Sequence, residues 1–322
     1  VGFKGMPQPN PSPPSPPILF IVGPTAGGKA RTAAALSRRT GCRLVSLDSM
    51  KVYRGMTIGT AAPPDGAIDG VPVALTQFLE PTEPFSAMDY IARIEPLIEE
   101  VRAGGRGICF VGGTALYVRM IVEGAFEGPA ADHEIRERLK AKAAERGGAP
   151  HLHKRLREID PAAAERIHEN DLRRIVRALE VYELTGRPIS ELQAESRSVI
   201  EGLPRRIVVL QWPRDLLYRR IEERVDRMMA SGWLEEVREL LETHGRLGPQ
   251  ARHALGYPEL IDHLEGRCTL EEAVDRIKQY TRNFAKQQLT WFRNMKDALR
   301  IDIEEADTPE TVAERIDGRL MD

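Results

Sequence analysis

The stretch Ile18-Leu19-Phe20-Ile21-Val22-Gly23-Pro24-Thr25-Ala26-Gly27-Gly28-Lys29-Ala30 joins a β-branched apolar run to a glycine-rich turn, a lysine and an alanine-rich segment of helical character. A strand that enters a helix through such a turn builds a phosphate cradle. The turn's N–H groups and the positive helix end converge on one point, and the lysine adds a mobile charge. The spacing Gly23-x4-Gly28-Lys29 follows the nucleotide-binding P-loop of ATP-type proteins, so Gly23, Pro24, Thr25, Ala26, Gly27, Gly28, Lys29 and Ala30 are the expected diphosphate or nucleotide contacts. The last position departs from the pattern. Ala30 stands where Ser or Thr would present a hydroxyl to magnesium.

Working outward, apolar β-type runs recur at 43–48, 73–79 (the weakest), 108–112 and 206–211, with helical patterns between them, for example 87–103. Unbroken rather than alternating apolarity marks strands buried on both faces, hence a mostly parallel sheet flanked by helices. The expected fold is an α/β, P-loop NTPase-like core with an all-helical insertion. The insertion is expected at 128–203, with helices over 132–146, 161–168 and 170–185, and the core over 18–127 and 204–322. From Asp215 to the end the chain reads as helical. Residues 1–17 are rich in proline and lack an apolar signal core, so they read as a disordered leader.

Composition narrows the function. The 322 residues carry a formal net charge of −2, which excludes a globally basic nucleic-acid binder but not a local basic groove. Cys42, Cys109 and Cys268 lie far apart without zinc spacing, which suits a reducing compartment. No apolar run is long enough for a membrane span. A cytoplasmic protein, acting as a monomer, is expected.

Three further segments carry candidate chemistry. In open α/β sheets ligands bind beyond the carboxyl ends of strands, so Asp48, ending the second strand, should face the glycine loop. Either it acts as a general base or magnesium ligand, directly or through water, or it caps a helix. Thr114, after the paired glycines Gly112 and Gly113, offers a hydroxyl on the same rim or caps the helix that follows. Arg220 and Arg224 share a helix face, and either pair with Glu222 and Glu223 or clamp a diphosphate. Two basic stretches suggest RNA. One holds Arg173, Arg174 and Arg177. The other, 276–300, holds seven basic residues against the single acid Asp297, with Lys278, Arg282 and Lys286 in a stripe that reads equally as a solvated charged face or as a polyanion-binding one. Its core face is expected to comprise Ile277, Tyr280, Phe284, Trp291 and Met295.

Taken together, GPTAGGKA, DSMKVYRGMTIGTA (48–61), GGTALY (112–117), NDLRRIVRALEVYELTGRPIS (170–190), HALGYPEL (253–260) and AKQQLTWFRN (285–294) resemble the tRNA dimethylallyltransferase (isopentenyltransferase) family, in the family's order. The resemblance implies transfer of a dimethylallyl group from its diphosphate to N6 of the adenosine that follows a tRNA anticodon, with magnesium as cofactor. It implies Asp48 as general base, Thr114 as a holder of diphosphate and base, and Arg224 as a further diphosphate contact. The anticodon stem-loop would meet Arg173, Arg174, Arg177, Arg136 and the segment Lys286, Gln287, Gln288, Trp291 and Arg293. Ser49, Met50 and Lys51 would lie near the target base. Departures from the family pattern are Gly27 and Ala30 in place of hydroxyl residues, Val73-Ala74 where paired histidines are usual, Ala115 for a glycine, and Gln287 for an arginine. Two other functions fit parts of the pattern: a P-loop small-molecule kinase or nucleotide hydrolase, and a non-catalytic tRNA-binding relative that has lost its metal hydroxyl.

Overall fold

The computed structural model describes residues 18–126, 128–145, 147–295 and 297–320. The expected leader, 1–17, and Lys296 lie outside them. The chain divides into two compact units, one made of the residues up to Val118 and from Gly202 onward, the other of Arg119–Glu201.

The larger unit contains β1 (Ile18–Val22), α1 (Lys29–Thr40), β2 (Arg43–Leu47), β3 (Ala67–Ile68), β4 (Val71–Ala74), α2 (Ala87–Arg102) and β5 (Ile108–Gly112). Helix α3 (Ala115–Glu123) crosses the division between the units. The helical unit continues with α4 (His133–Glu145), α5 (Ala149–Ile159), α6 (Pro161–Arg166), α7 (Leu172–Thr185) and α8 (Ile189–Ala194). The larger unit then resumes with β6 (Arg205–Gln211), α9 (Arg214–Ala230), α10 (Trp233–His244), α11 (Tyr257–Leu264), α12 (Leu270–Arg293), β7 (Ala298–Asp302) and α13 (Pro309–Leu320).

The sheet order is β3-β4-β2-β5-β1-β6-β7, and every pairing is parallel except the β3–β4 hairpin. β1 and β5 at its centre are buried along their whole length, as their unbroken apolar sequences require. Leu19, Ile21, Leu44, Cys109, Val111, Val208 and Leu210 form one face of the core, packed with Ala33 and Leu36 of α1 and Val312 and Ile316 of α13. The helical unit has its own core, built on Leu139, Leu152, Leu156, Ile175, Leu179 and Val181.

Three expectations are corrected. The weak strand is Val71–Ala74, not 73–79, because Leu75 and Gln77 take φ of 62° and 49° and turn the chain out of extended geometry. The C-terminal region is not all helical. β7 adds an edge strand parallel to β6, and its mixed sequence suits a position where Ile301 is buried, Asp302 is exposed and the rest are partly covered. On α12 the buried face is Ala273, Ile277, Thr281, Ala285, Gln288 and Phe292, while Tyr280 and Phe284 are 44% and 41% exposed. The neighbours of α12 cover a seam that mixes small residues with Ile277 and Phe292, and leave Tyr280 and Phe284 beside it partly exposed. The helical unit also holds α5 and α8, which the sequence pattern did not single out.

Candidate active site

Val22 and Leu47 both align with Gly112 in the parallel register, so the residues that follow, Gly23, Asp48 and Gly113, emerge side by side. Asp48 and Gly113 border a cavity of about 430 Å³, whose lining does not include the expected contacts Gly23 and Pro24. Thr25–Ala30, Asp48–Lys51 and Gly113–Thr114 line it from the three strand ends, with Arg224 from α9 and Phe284 and Gln288 from α12. The sheet register thus brings most of the expected site residues together, although they are scattered over the whole sequence.

The glycine loop has the form its sequence promised. A Cβ on Gly23 would stand 2.8 Å from the Leu210 carbonyl oxygen, so no side chain fits where the loop leaves the sheet. Gly28, at φ 74°, makes the left-handed step into α1. α1 begins at Lys29, so the first N–H groups of the helix have no intrahelical partner. Lys29 Nζ donates to the Pro24 carbonyl at 2.6 Å. Thr25 N–H donates to Gln288 Oε1 at 2.8 Å, and Gln288 Nε2 donates to the Gly113 carbonyl at 2.9 Å.

Asp48 caps no helix. Its Oδ1 accepts the N–H groups of Met50 (2.9 Å) and Lys51 (3.4 Å) in a tight turn, and its Oδ2 has no protein donor among the described residues. The Thr114 hydroxyl accepts the Ser49 N–H at 3.3 Å and so ties the β2 and β5 ends together. Arg224 donates to the Thr25 hydroxyl at 3.5 Å rather than pairing with an acid. Among the described residues Arg220 does not pair with one either; it donates to the Ala26 carbonyl at 3.2 Å.

Three cations therefore meet one carboxylate. Burial lowers the Lys29 pKa to about 7, and the charges of Arg224 and Lys51 add to the shift while Asp48 opposes it. Burial also holds Lys51 and Arg224 below their usual values, again against the pull of Asp48. This excess of positive charge suits an anionic ligand.

Several expected RNA contacts are engaged elsewhere. Gln288 is 5% exposed, and both ends of its amide hold backbone groups of the loop and the β5 end. Arg136 forms a bidentate pair with buried Glu180 at 2.8 and 2.9 Å, and Arg177 meets the same carboxylate at 2.7 Å. Lys278 and Arg282 of the stripe pair with Asp226 and Glu222 of α9, each at 2.6 Å. Arg173, Arg174, Gln287, Lys286 and Arg293 are exposed, and Trp291 is half-buried. Lys286 and Arg293 border a second cavity of about 720 Å³ beside Trp212 and Tyr218.

The sequence reading missed parts of the wall. Ser46 lies on the Asp48 face of β2, two residues earlier, and its buried hydroxyl lines the cavity without a hydrogen-bond partner in the described residues. Gly59–Ala61 also line it. Their loop is held by buried Glu236, which accepts the N–H groups of Thr57 (2.8 Å), Ile58 (2.6 Å) and Gly59 (3.2 Å) and the Tyr257 hydroxyl (2.7 Å). His253–Leu255 lie within one of the quoted motifs, which was their only signal.

A glycine loop between a central parallel strand and its helix, opening on an unbalanced cationic cavity, defines an α/β protein of the P-loop class. A protein-family model described as IPP transferase matches residues 51–295. The chain is 49% identical over 292 residues to the tRNA dimethylallyltransferase of Symbiobacterium thermophilum, covering 89% of each. The crystal structure of the tRNA isopentenylpyrophosphate transferase of Bacillus halodurans superposes with a TM-score of 0.67 at 39% identity, over 94% of this chain and 96% of that one. A eukaryotic dimethylallyltransferase structure shares the fold with a TM-score of 0.75 at 24% identity, over 93% of this chain and 77% of the other. The chain belongs to the IPP transferase family.

Proposed function

We propose that this chain transfers a dimethylallyl group from dimethylallyl diphosphate to N6 of the adenosine 3′-adjacent to the anticodon of tRNA, releasing diphosphate. The observation that carries the reading is one cavity in which a glycine loop and three cations face a single carboxylate. Ile68, Val73 and Val111 give the same cavity an apolar wall suited to a prenyl group.

In this reading the N6 lone pair attacks C1 of the dimethylallyl group. The C1–O bond breaks, and its electron pair leaves on the diphosphate. Lys29, Arg224 and the first N–H groups of α1 stabilise the departing charge. Asp48 takes the N6 proton through the oxygen that the turn leaves free, and Thr114 steadies the base and the diphosphate. The adenine reaches the cavity by leaving the anticodon-loop stack, past Ser49, Met50 and Lys51. Arg173, Arg174, Lys286, Gln287, Trp291 and Arg293 remain the RNA contacts of this reading. Arg136, Arg177 and Gln288 are positioning groups within the protein instead.

Magnesium is the ion expected with a diphosphate. The donor set fits an ion held largely by diphosphate oxygens, with the Thr25 hydroxyl as a protein partner and Asp48 kept as the base. Ala30 supplies no donor, and among the described residues no cluster of three or more His, Cys, Asp or Glu side chains is placed to hold a metal. Bound there, the ion would neutralise charge on the leaving group.

Single-turnover transfer from labelled dimethylallyl diphosphate to an unmodified anticodon stem-loop, titrated with magnesium, tests the proposal. Product at ordinary magnesium supports it and shows that Ala30 is tolerated. RNA binding without product would identify a relative that has lost the chemistry.

A further inference from the structure

The carbonyl groups of the glycine loop are held from outside the cavity. Trp212 Nε1 donates to the Gly27 carbonyl at 3.1 Å, and Arg220 Nε donates to the Ala26 carbonyl at 3.2 Å. The Arg220 guanidinium lies over the Trp212 ring, 4.4 Å from its centroid. A trans peptide points its C=O and N–H in opposite directions. Drawing the Ala26 carbonyl toward Arg220 therefore turns the Gly27 N–H back, and it donates to the Pro24 carbonyl at 3.2 Å. Drawing the Gly27 carbonyl toward Trp212 turns the Gly28 N–H the other way, away from the indole.

Position 27 is matched to this device. A Cβ there would stand 2.8 Å from the Pro24 oxygen and, at 3.4 Å, in ordinary contact with Trp212 Nε1, so the Pro24 carbonyl is what bars a side chain at 27 beside the indole. The sheet sets the approach. β6 runs parallel beside β1 with Val209 opposite Val22, so Trp212, just past β6, meets the loop just past β1. Trp212, Tyr218 and Ala26 pack on the buried cluster of Leu217, Ile221 and Ala285. The indole is thus fixed on its far side before any ligand binds.

We propose that Trp212 is a positioning residue for the diphosphate: under the Arg220 guanidinium, it fixes the Gly27–Gly28 peptide so that the Gly28 N–H serves the leaving group. The inference rests on the diphosphate reading of the cavity. It assigns the shape of the loop to the end of β6 and to α9, in a chain whose loop has no hydroxyl at 27 or 30.

The test pairs calorimetry of inorganic diphosphate, with magnesium, and steady-state kinetics on dimethylallyl diphosphate and the stem-loop, for wild type, Trp212→Phe and Trp212→His. Phe keeps the ring under Arg220 and loses the N–H, whereas His keeps a ring N–H. For Trp212→Phe, the diphosphate Kd and the KM for the prenyl donor should rise by about tenfold, the scale of one lost hydrogen bond. The kcat should fall as well, since the same N–H serves the departing charge, while the KM for RNA and the melting temperature should hold, and Trp212→His should recover most of the loss. An unchanged diphosphate Kd in Trp212→Phe overturns the inference and leaves the diphosphate reading standing. Parallel losses in both KM values, kcat and melting temperature reduce Trp212 to packing and also overturn it. Wild type that binds the stem-loop but no diphosphate would sink the diphosphate reading, and the inference with it.

Discussion

Glu180 in the helical unit and Asp48 in the larger unit are carboxylates set among cations, and they end in opposite electrostatic states. Glu180 is fully buried and meets Arg136, Arg177 and the Asp132 N–H. Burial works to raise its pKa, and these hydrogen bonds outweigh that and leave it below the usual value. Within that cluster each charged group is hydrogen-bonded to a partner in the protein. Asp48 shares its cavity with Lys29, Lys51 and Arg224, whose pKa values burial depresses. That cluster lacks an anion. The first arrangement serves the fold, and the second leaves room for an anionic ligand.

Breaking the incomplete cluster should affect chemistry most. Asp48→Asn keeps an acceptor for the Met50 and Lys51 N–H groups, so the turn should survive while the proposed base is lost. The single-turnover rate should fall about a hundredfold or more with RNA affinity nearly intact. Equal loss of both would make Asp48 structural. Glu180→Gln, by contrast, leaves two guanidiniums without a counter-charge. Urea unfolding should show a loss of about 2–4 kcal/mol, below the full value for a buried pair because both arginines remain partly exposed.

The next effect sharpens the comparison through protons. With Lys29 lowered from 10.5 to about 7, the unfolded chain holds more protons than the folded one across that window, so the Lys29 contribution to stability rises with pH there. Diphosphate reverses the shift by favouring the charged lysine. At pH 8 its binding should take up a proton, seen as an observed enthalpy that varies with the buffer's ionisation enthalpy, and affinity should weaken as pH climbs above about 7. Lys29→Arg should abolish the uptake; persistence would assign the proton to another group. The smallest effects separate two arginines of α7. Arg173→Ala should weaken stem-loop binding a few-fold with unchanged melting, the scale of one exposed phosphate contact, whereas Arg177→Ala should lower the melting temperature.

Much of this was legible because it is local. Ile18–Ala30 contains its own strand, turn and helix start, and the unbroken apolarity of Ile108–Gly112 places it inside a parallel sheet. Charge stripes were a poorer guide. Lys278 and Arg282 read as either solvated or free for a polyanion, yet they face acids on α9, a helix some fifty residues earlier that no i,i+4 count includes. Tyr280 and Phe284 misled the reading of α12, since bulk in the sequence does not reveal which seam a neighbour covers.

The sequence by itself determined the sheet's parallel core, the phosphate loop, the family and the carboxylate beyond β2, since each rests on residues a few positions apart whose backbone and periodicity constrain one another. The tertiary structure alone decided which charges remain free and which groups hold the loop. Gln288 reaches Thr25 across 263 residues, Trp212 reaches Gly27 across 185, and Arg136 reaches Glu180 across 44. Burial and pairing are set by whatever the fold brings within hydrogen-bond distance, and chain-local chemistry carries no record of it.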